Sequence, residues 1–300
     1  MTVTSHIKKL IVNCQLSIVN VIALLPFRAI YLLSDGLCFL MQHVVHYRRR
    51  VVRNNLKNSF PEQSAAALRR IENDFYHYLC DYILEEVKLL RISLRELCRR
   101  MQYEGKELFL EMIERHNGIV LLIPHYANFE WIIGMGAIMK EGDLPVQVYK
   151  PLHDPYLDRL FQRIRSRFGG YNVPKHDTAR ELVKLRRAGK RMVVGLITDQ
   201  SPGAHDAHYW TTFLHQDTVF MDGAERIAKM MNYPVFYCEL EKTGRGYCRV
   251  SFELVTETPK ETAAGEITEQ FARRLEATIR RAPAYWFWSH RRWKQKRPVA

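Results

Sequence analysis

Between residues 117 and 256, short apolar runs alternate with stretches of helical spacing. Ile119-Val120-Leu121-Leu122-Ile123 follows the helix-stop pair Asn117-Gly118 and ends at Pro124. A short run apolar on every position reads as a strand buried on both faces, which is the habit of parallel sheets. Further strands are predicted at Pro145–Tyr149, Arg191–Thr198, Pro234–Leu240 and Tyr247–Val255, the last with alternating spacing. Helical text falls at about Ala127–Lys140, Tyr156–Phe168, Thr178–Ala188 and Asp222–Met231, and again at Thr268–Arg280. This alternation predicts an α/β fold with a central sheet flanked by helices. Upstream, residues 47–115 are charged and amphipathic, with helices expected at Ser64–Leu79 and Tyr82–Leu90 after a break at Asn58–Glu62.

The first 46 residues have another texture. Leu10–Phe27 carries no charge, but at 18 residues it sits at the lower edge of what spans a bilayer. Asn13, Gln15, Ser17 and Asn20 dilute it, and Pro26 should bend it. The apolar stretch runs into Pro26-Phe27-Arg28 without a small-residue cleavage site, so it is not expected to be a removed signal peptide. Lys8-Lys9 and Arg28 flank it on both sides, which gives no clear orientation across a membrane. A helix lying in the cytoplasmic leaflet fits better than a single span or a buried soluble helix. The basic cluster at 48–53 would add an anionic-lipid contact. The expected organisation is a membrane-associated helical segment at 1–46 and an α/β domain at 47–300.

Composition narrows the partners. Lys and Arg number 45 against 32 Asp and Glu, a net charge of +13, which points to a polyanionic partner: nucleic acid, an anionic membrane or a phosphorylated substrate. With 47% hydrophobic residues, general disorder is excluded. None of the six cysteines forms a C-x-x-C pair, so free thiols in a reducing compartment are expected rather than a zinc ribbon or a disulfide framework.

Three constellations could carry chemistry. In Pro124-His125-Tyr126-Ala127-Asn128-Phe129-Glu130, His125 sits just past a buried strand, where open α/β sheets bind ligands. Glu130 lies five residues on, and a loop between them would let its carboxylate fold back to the imidazole. His125 would then be a general base for an acceptor hydroxyl that attacks an activated acyl group. A strand-capping histidine beside a surface glutamate is the plain alternative. Asp199, in Thr198-Asp199-Gln200-Ser201-Pro202-Gly203, follows another apolar strand and would share the same rim, or simply cap a turn. Arg159, Arg163, Arg165 and Arg167 occupy one helix before Gly169-Gly170, as a phosphate clamp or a solvated basic face. No phosphate-binding G-x-x-x-x-G-K-[ST] loop, G-x-S-x-G elbow or strand-linked G-x-G-x-x-G occurs. His205-Asp206-Ala207-His208 lacks further ligands, so no metal and no cofactor are expected.

With those residues in place, the chain resembles the bacterial lipid A biosynthesis (late) acyltransferases, the lauroyl/myristoyl transferase group. His125 and Glu130 match the family's H-x-x-x-x-[DE] motif. Arg53-Asn54-Asn55-Leu56 to Phe60-Pro61-Glu62 match as well, as do Tyr149-Lys150-Pro151 with Asp154-Pro155 and Asp158, and the end of the strand at Thr198-Asp199-Gln200. The run Tyr285–Lys294 is the most specific match, and the resemblance covers nearly the whole chain. It implies a glycerolipid-acyltransferase-like α/β fold and an enzyme on the cytoplasmic face of the bacterial inner membrane. It implies transfer of a fatty acyl chain from acyl-carrier protein or acyl-CoA to a hydroxyl of a lipid A precursor. His125 and Glu130 map to the catalytic pair, and Arg165 and Asp199 to substrate binding. The chain departs from the pattern at Thr212-Phe213-Leu214-His215, where an aromatic-aromatic-glycine stretch is usual. The same chemistry on a glycerophospholipid, mannolipid or aminolipid is the alternative. A non-catalytic nucleic-acid- or membrane-binding protein would explain the basic tail but not the strand-end residues, so no nucleic-acid partner is expected.

Overall fold

The computed structural model describes residues 17–203 and 208–297. Residues 17–24 are helical and Pro26 begins a second helix, α1 (Phe27–Phe39), which runs into a wider π-helical turn at Leu40–Val44. Then follow α2 (Arg49–Ser59), α3 (Ala65–Lys88), α4 (Leu94–Arg100), β1 (Met101–Glu104), α5 (Lys106–His116) and β2 (Gly118–Ile123). A 3-10 helix at Phe129–Ala137 leads to β3 (Leu144–Tyr149), α6 (Pro155–Arg165), β4 (Tyr171–Pro174), α7 (Thr178–Arg187) and β5 (Met192–Ile197). The chain continues through β6 (Tyr209–Phe213), β7 (Gln216–Phe220), α8 (Gly223–Met231), β8 (Val235–Gly244), β9 (Tyr247–Thr256) and α9 (Glu266–Arg281).

Seven strands form one mixed, mostly parallel sheet in the order β1-β9-β8-β2-β5-β3-β4, with β9 and β1 running against the other five. Every residue of β2 is buried, as its continuous apolar run required. β2 pairs in parallel with β5, and Ile123 lies opposite Ile197. The two strands therefore end level with one another. That register places the residues two positions beyond each end, His125 and Asp199, side by side.

Several predicted elements take a different form. The two helices expected at 64–90 are one helix, α3, because nothing between Leu79 and Tyr82 breaks it; Asp81 is buried there and accepts a hydrogen bond from Ser34 Oγ at 2.6 Å. The stretch after His125 is a 3-10 helix. Gly134 and Gly136 let it lie against Leu97 and the Phe168 carbonyl, where a Cβ would come within 2.7 and 2.8 Å. β1, β4 and the β6–β7 hairpin are too short or too polar to register as apolar runs.

The N-terminal helices are fixed to the body by buried polar groups. Lys88 Nζ donates to the carbonyls of Ala23 and Leu25, at 2.8 and 2.7 Å. Tyr31 donates to Glu85 at 2.9 Å, and Arg245 bridges Asp35 and Asp81. Their other side stays open: Ile18, Val21, Leu24, Leu32, Phe39 and Val44 are all exposed. No described helix is long and apolar enough to cross a membrane, and residues 10–16 of the uncharged stretch lie outside the described residues, as do Cys14 and 205–207. The other five cysteines are free thiols.

The β6–β7 hairpin turns on Leu214 and His215, with φ of 49° and 63°. Two left-handed residues in a two-residue loop suit glycine or asparagine, and a bulky L-residue there costs roughly 1–2 kcal/mol. Leu214 is buried and fixed by packing, whereas His215 is exposed. His215→Gly is expected to raise the unfolding free energy by about 1 kcal/mol, read from the urea midpoint; a lower midpoint would show that the His215 contacts to Arg280 and Glu62 outweigh the strain.

Candidate active site

His125 reaches its place through a sharp turn. Ala127 is wholly buried with φ of 48°. Its N–H donates to the Tyr285 carbonyl at 2.9 Å, and its carbonyl accepts from Tyr78 Oη at 2.9 Å. Clamped at both backbone groups, the turn holds a conformation that alanine disfavours, and this is the kind of strain that marks sites. The next residue, Asn128, is fully buried and bonded to Glu85, with Cys248 and Lys242 on its carbonyl oxygen.

Asp199 is 1% exposed and receives three N–H groups. The His125 imidazole Nδ1 lies 2.5 Å from Oδ1. The His125 backbone N–H and the Trp286 indole reach Oδ2 at 3.1 and 2.9 Å. Burial works against the charge on Asp199, but the adjacent imidazole and these hydrogen bonds outweigh it and hold the carboxyl below its usual range. An ionised carboxylate only accepts, so Nδ1 carries the proton and the lone pair sits on Nε2. Nε2 accepts from the Gln200 amide at 3.1 Å. Phe129 and Phe287 stand edge-on to the ring at 4.8 and 5.9 Å.

Glu130 is elsewhere engaged. The carboxylate expected on the imidazole is instead forked by Arg165, at 2.7 Å to Nη2 and 3.3 Å to Nε. The partner of His125 is Asp199, which lies 74 positions away in sequence but beside it across the β2–β5 pairing. Both members of the Glu130–Arg165 pair are mostly buried. Burial disfavours the Arg165 charge, yet Glu130, through its charge and hydrogen bonds, raises its pKa above the ordinary guanidinium value. Glu86 lies within electrostatic reach of both; burial, then Glu130 and Glu85, push its carboxyl well up from the usual range. Tyr82, one helical turn before Glu86, stacks on Phe129 at 5.5 Å. One buried cation thus faces one buried carboxylate here, with a second carboxyl beside the pair.

Of the other arginines in this run, Arg167, just past the end of α6, donates to the Leu89 and Ile92 carbonyls, a structural tie, and Arg159 stacks on Tyr156. Arg163 is exposed. Three other motif residues make structural contacts. Asp154 caps α6 through the Tyr156 and Leu157 N–H groups, and Asp158 accepts from the Leu152 N–H. Asn55 donates to the carbonyls of Trp288 and His290 at 2.8 and 2.9 Å, pinning the C-terminal segment over the strand ends. Gln200 and Trp286 were in the quoted motifs without a role; their contacts give them one. Tyr78 carried no signal beyond helical spacing.

The family profile described as bacterial lipid A biosynthesis acyltransferase matches residues 2–295. The chain is similar to the lipid A biosynthesis lauroyltransferase of Escherichia coli (strain K12), 23% identical over 275 residues, 91% of this chain and 87% of that one. The lipid A biosynthesis acyltransferase of Haemophilus influenzae is 21% identical over 272 residues, 89% and 82% of the two chains. The lipid A biosynthesis myristoyltransferase of E. coli aligns over 144 residues at 23%, about half of each chain.

His290 accepts from the Ser201 N–H at 3.1 Å, and burial pushes its pKa down to about 4. Between pH ~6.5 and that value the unfolded chain takes up a proton that the folded one refuses, so stability falls as pH falls through this window. His290→Gln is expected to flatten that part of the Tm–pH curve, while an unchanged slope from pH ~6.5 to 4 would assign the loss to other groups.

Proposed function

The chain belongs to the bacterial lipid A biosynthesis acyltransferase family, and from that premise we propose that it moves a fatty acyl group from an acyl thioester, on acyl-carrier protein or coenzyme A, to a hydroxyl of a lipid A precursor. The observation that carries the mechanism is the Asp199–His125 pair at the level ends of β2 and β5. The acceptor hydroxyl takes the place of the Gln200 amide at Nε2 and gives up its proton there. Its oxygen attacks the thioester carbonyl, and a tetrahedral intermediate forms. The C–S bond then breaks and the imidazolium returns the proton to the leaving thiolate. Asp199 keeps the tautomer and stabilises the transient imidazolium, the role first expected of Glu130. Glu130 instead aims Arg165, whose Nη1 has no protein partner among the described residues and is available to a phosphate or a developing oxyanion. A thioester is already activated, so these groups suffice for the proton and charge movements described.

The membrane reading supplies both substrates' apolar chains. Exposed Ile18, Val21, Leu24, Leu32 and Phe39 next to Arg28 form an apolar face with a basic edge, as in helices that lie in a lipid interface. This face supports a membrane contact, the family resemblance adds the cytoplasmic side of the inner membrane to the reading, and the +13 balance would attract anionic lipid. The full chain is expected to sediment with membranes and to resist extraction at 1 M salt, where the Debye length is roughly 3 Å; complete release by salt alone would reduce the contact to surface charge.

With an acyl-carrier-protein donor and a lipid A precursor, His125→Ala is expected to lower kcat roughly 10²–10⁴-fold. Asp199→Asn should act similarly, since it reverses the tautomer. Arg165→Ala should cost about ten- to a hundredfold in kcat/KM, the value of a charge-assisted contact, with Arg159→Ala near wild type and Arg167→Ala reduced in stability. Near-normal turnover by folded His125→Ala would refute the base. Equal small losses at all three arginines would leave only diffuse attraction.

A further inference from the structure

A buried charge that the steps above do not use stands behind the strand ends. Arg292 is 1% exposed. Its Nη1 donates to Thr218 Oγ1 at 2.7 Å, while Nε and Nη2 have no partner among the described residues. Among the described residues no carboxylate forms an ion pair with it. Its guanidinium lies 4.3 Å from the Phe220 ring centroid and 5.9 Å from that of Phe213. Phe213 packs edge-on against Trp286 at 5.8 Å, and the Trp286 indole is one of the three donors to Asp199.

A cation in such a place is expensive, and an apolar side chain of the same volume is usually no worse for stability. Burial accordingly pushes the Arg292 pKa down to about 10, with the Asp199 charge opposing the fall. The two groups thus interact through the thin aromatic wall, where the field is little screened.

We propose that Arg292 is a positioning residue for the His125–Asp199 pair: its charge favours an ionised Asp199 beside an unprotonated imidazole, the state that can accept a proton. The inference rests on His125 as the base. Asp199 sits between two cationic influences, the imidazolium that forms transiently and the guanidinium that is permanent. Of the other groups facing this region, His290 and Tyr237 are neutral near pH 7, the one pushed down and the other pushed up by burial. Lys294 is exposed and screened by solvent. Arg292 is the buried charge that remains.

The test uses the full chain in detergent or membranes. Removing the cation makes the Asp199–His125 pair easier to protonate. In Arg292→Met the acid limb of the kcat/KM–pH profile is therefore expected to move to higher pH, by roughly half to one pH unit for one charge at an effective dielectric of about 20. Arg292→Lys should keep the limb in its wild-type place. Thr218→Val removes the one hydrogen bond but not the charge, and should lower Tm without moving the limb. If Arg292→Met does not fold, Arg292→Gln is neutral and can keep the bond to Thr218. An unmoved limb in a folded neutral variant, or an equal move in Thr218→Val, overturns the proposal. An absence of transferase activity in the wild type would instead defeat the reaction assigned above. The imidazole titration of His125, followed by NMR in wild type and Arg292→Met, would then still decide the electrostatic claim.

Discussion

Everything at the carboxyl ends of β2 and β5 depends on one buried carboxylate. Asp199 gathers the imidazole of His125, the backbone N–H of the same residue and the indole of Trp286. Taking a charge this far from water costs several kcal/mol, and only a full set of donors offsets that. The donors come from the turn after β2 and from the segment after α9. One side chain therefore welds the two parallel strand ends to the distant C-terminal run. The weld explains the architecture around it. Asn55 holds Trp288 and His290 by their carbonyls, and Tyr126 donates to the Ala282 carbonyl, so the segment that carries the indole cannot drift.

The two carboxylates of the candidate site have separate partners because of this arrangement. Asp199 is tied to the imidazole of His125, and Glu130 to the guanidinium of Arg165. Had Glu130 been the imidazole's partner, Arg165 would have been a buried cation facing two acids with nothing to aim it. Glu86, beside the same pair, has its carboxyl pushed well up by burial and by the charges of Glu130 and Glu85.

Much of the sheet was legible in the amino-acid pattern, because β2 and β5 are buried on both faces and allow no polar interruption. The rim position of His125 and Asp199 was legible for the same reason. Their pairing was not, since it depends on the β2–β5 register, and spacing along the chain favoured the nearer Glu130. Short strands such as β4, with only Val173 buried, leave too little apolar text to read. The motifs at Asn55, Asp154 and Asp158 were visible as matches, but their work as clamps and caps is a matter of geometry. The family match, at 21–23% identity to the relatives over most of the chain, supports the class of chemistry while leaving individual contacts to the structure.

The helices before residue 46 join this picture through polar groups as well as apolar contact: Ala23, Ile30 and Cys38 are buried, and Phe27 and Leu37 pack on the core. Lys88 captures two carbonyls at the end of the 17–24 helix, and Asp81 holds Ser34 and Arg245 together. Lys88 and Asp81 lie on α3, the helix that also presents Tyr78 to the Ala127 turn and Tyr82 to Phe129. The faces of α3 thus share one rigid rod. Leu24, Leu32 and Phe39, on the other side of these helices, remain exposed. One helix, α3, thus links the N-terminal helices to the turn that carries His125.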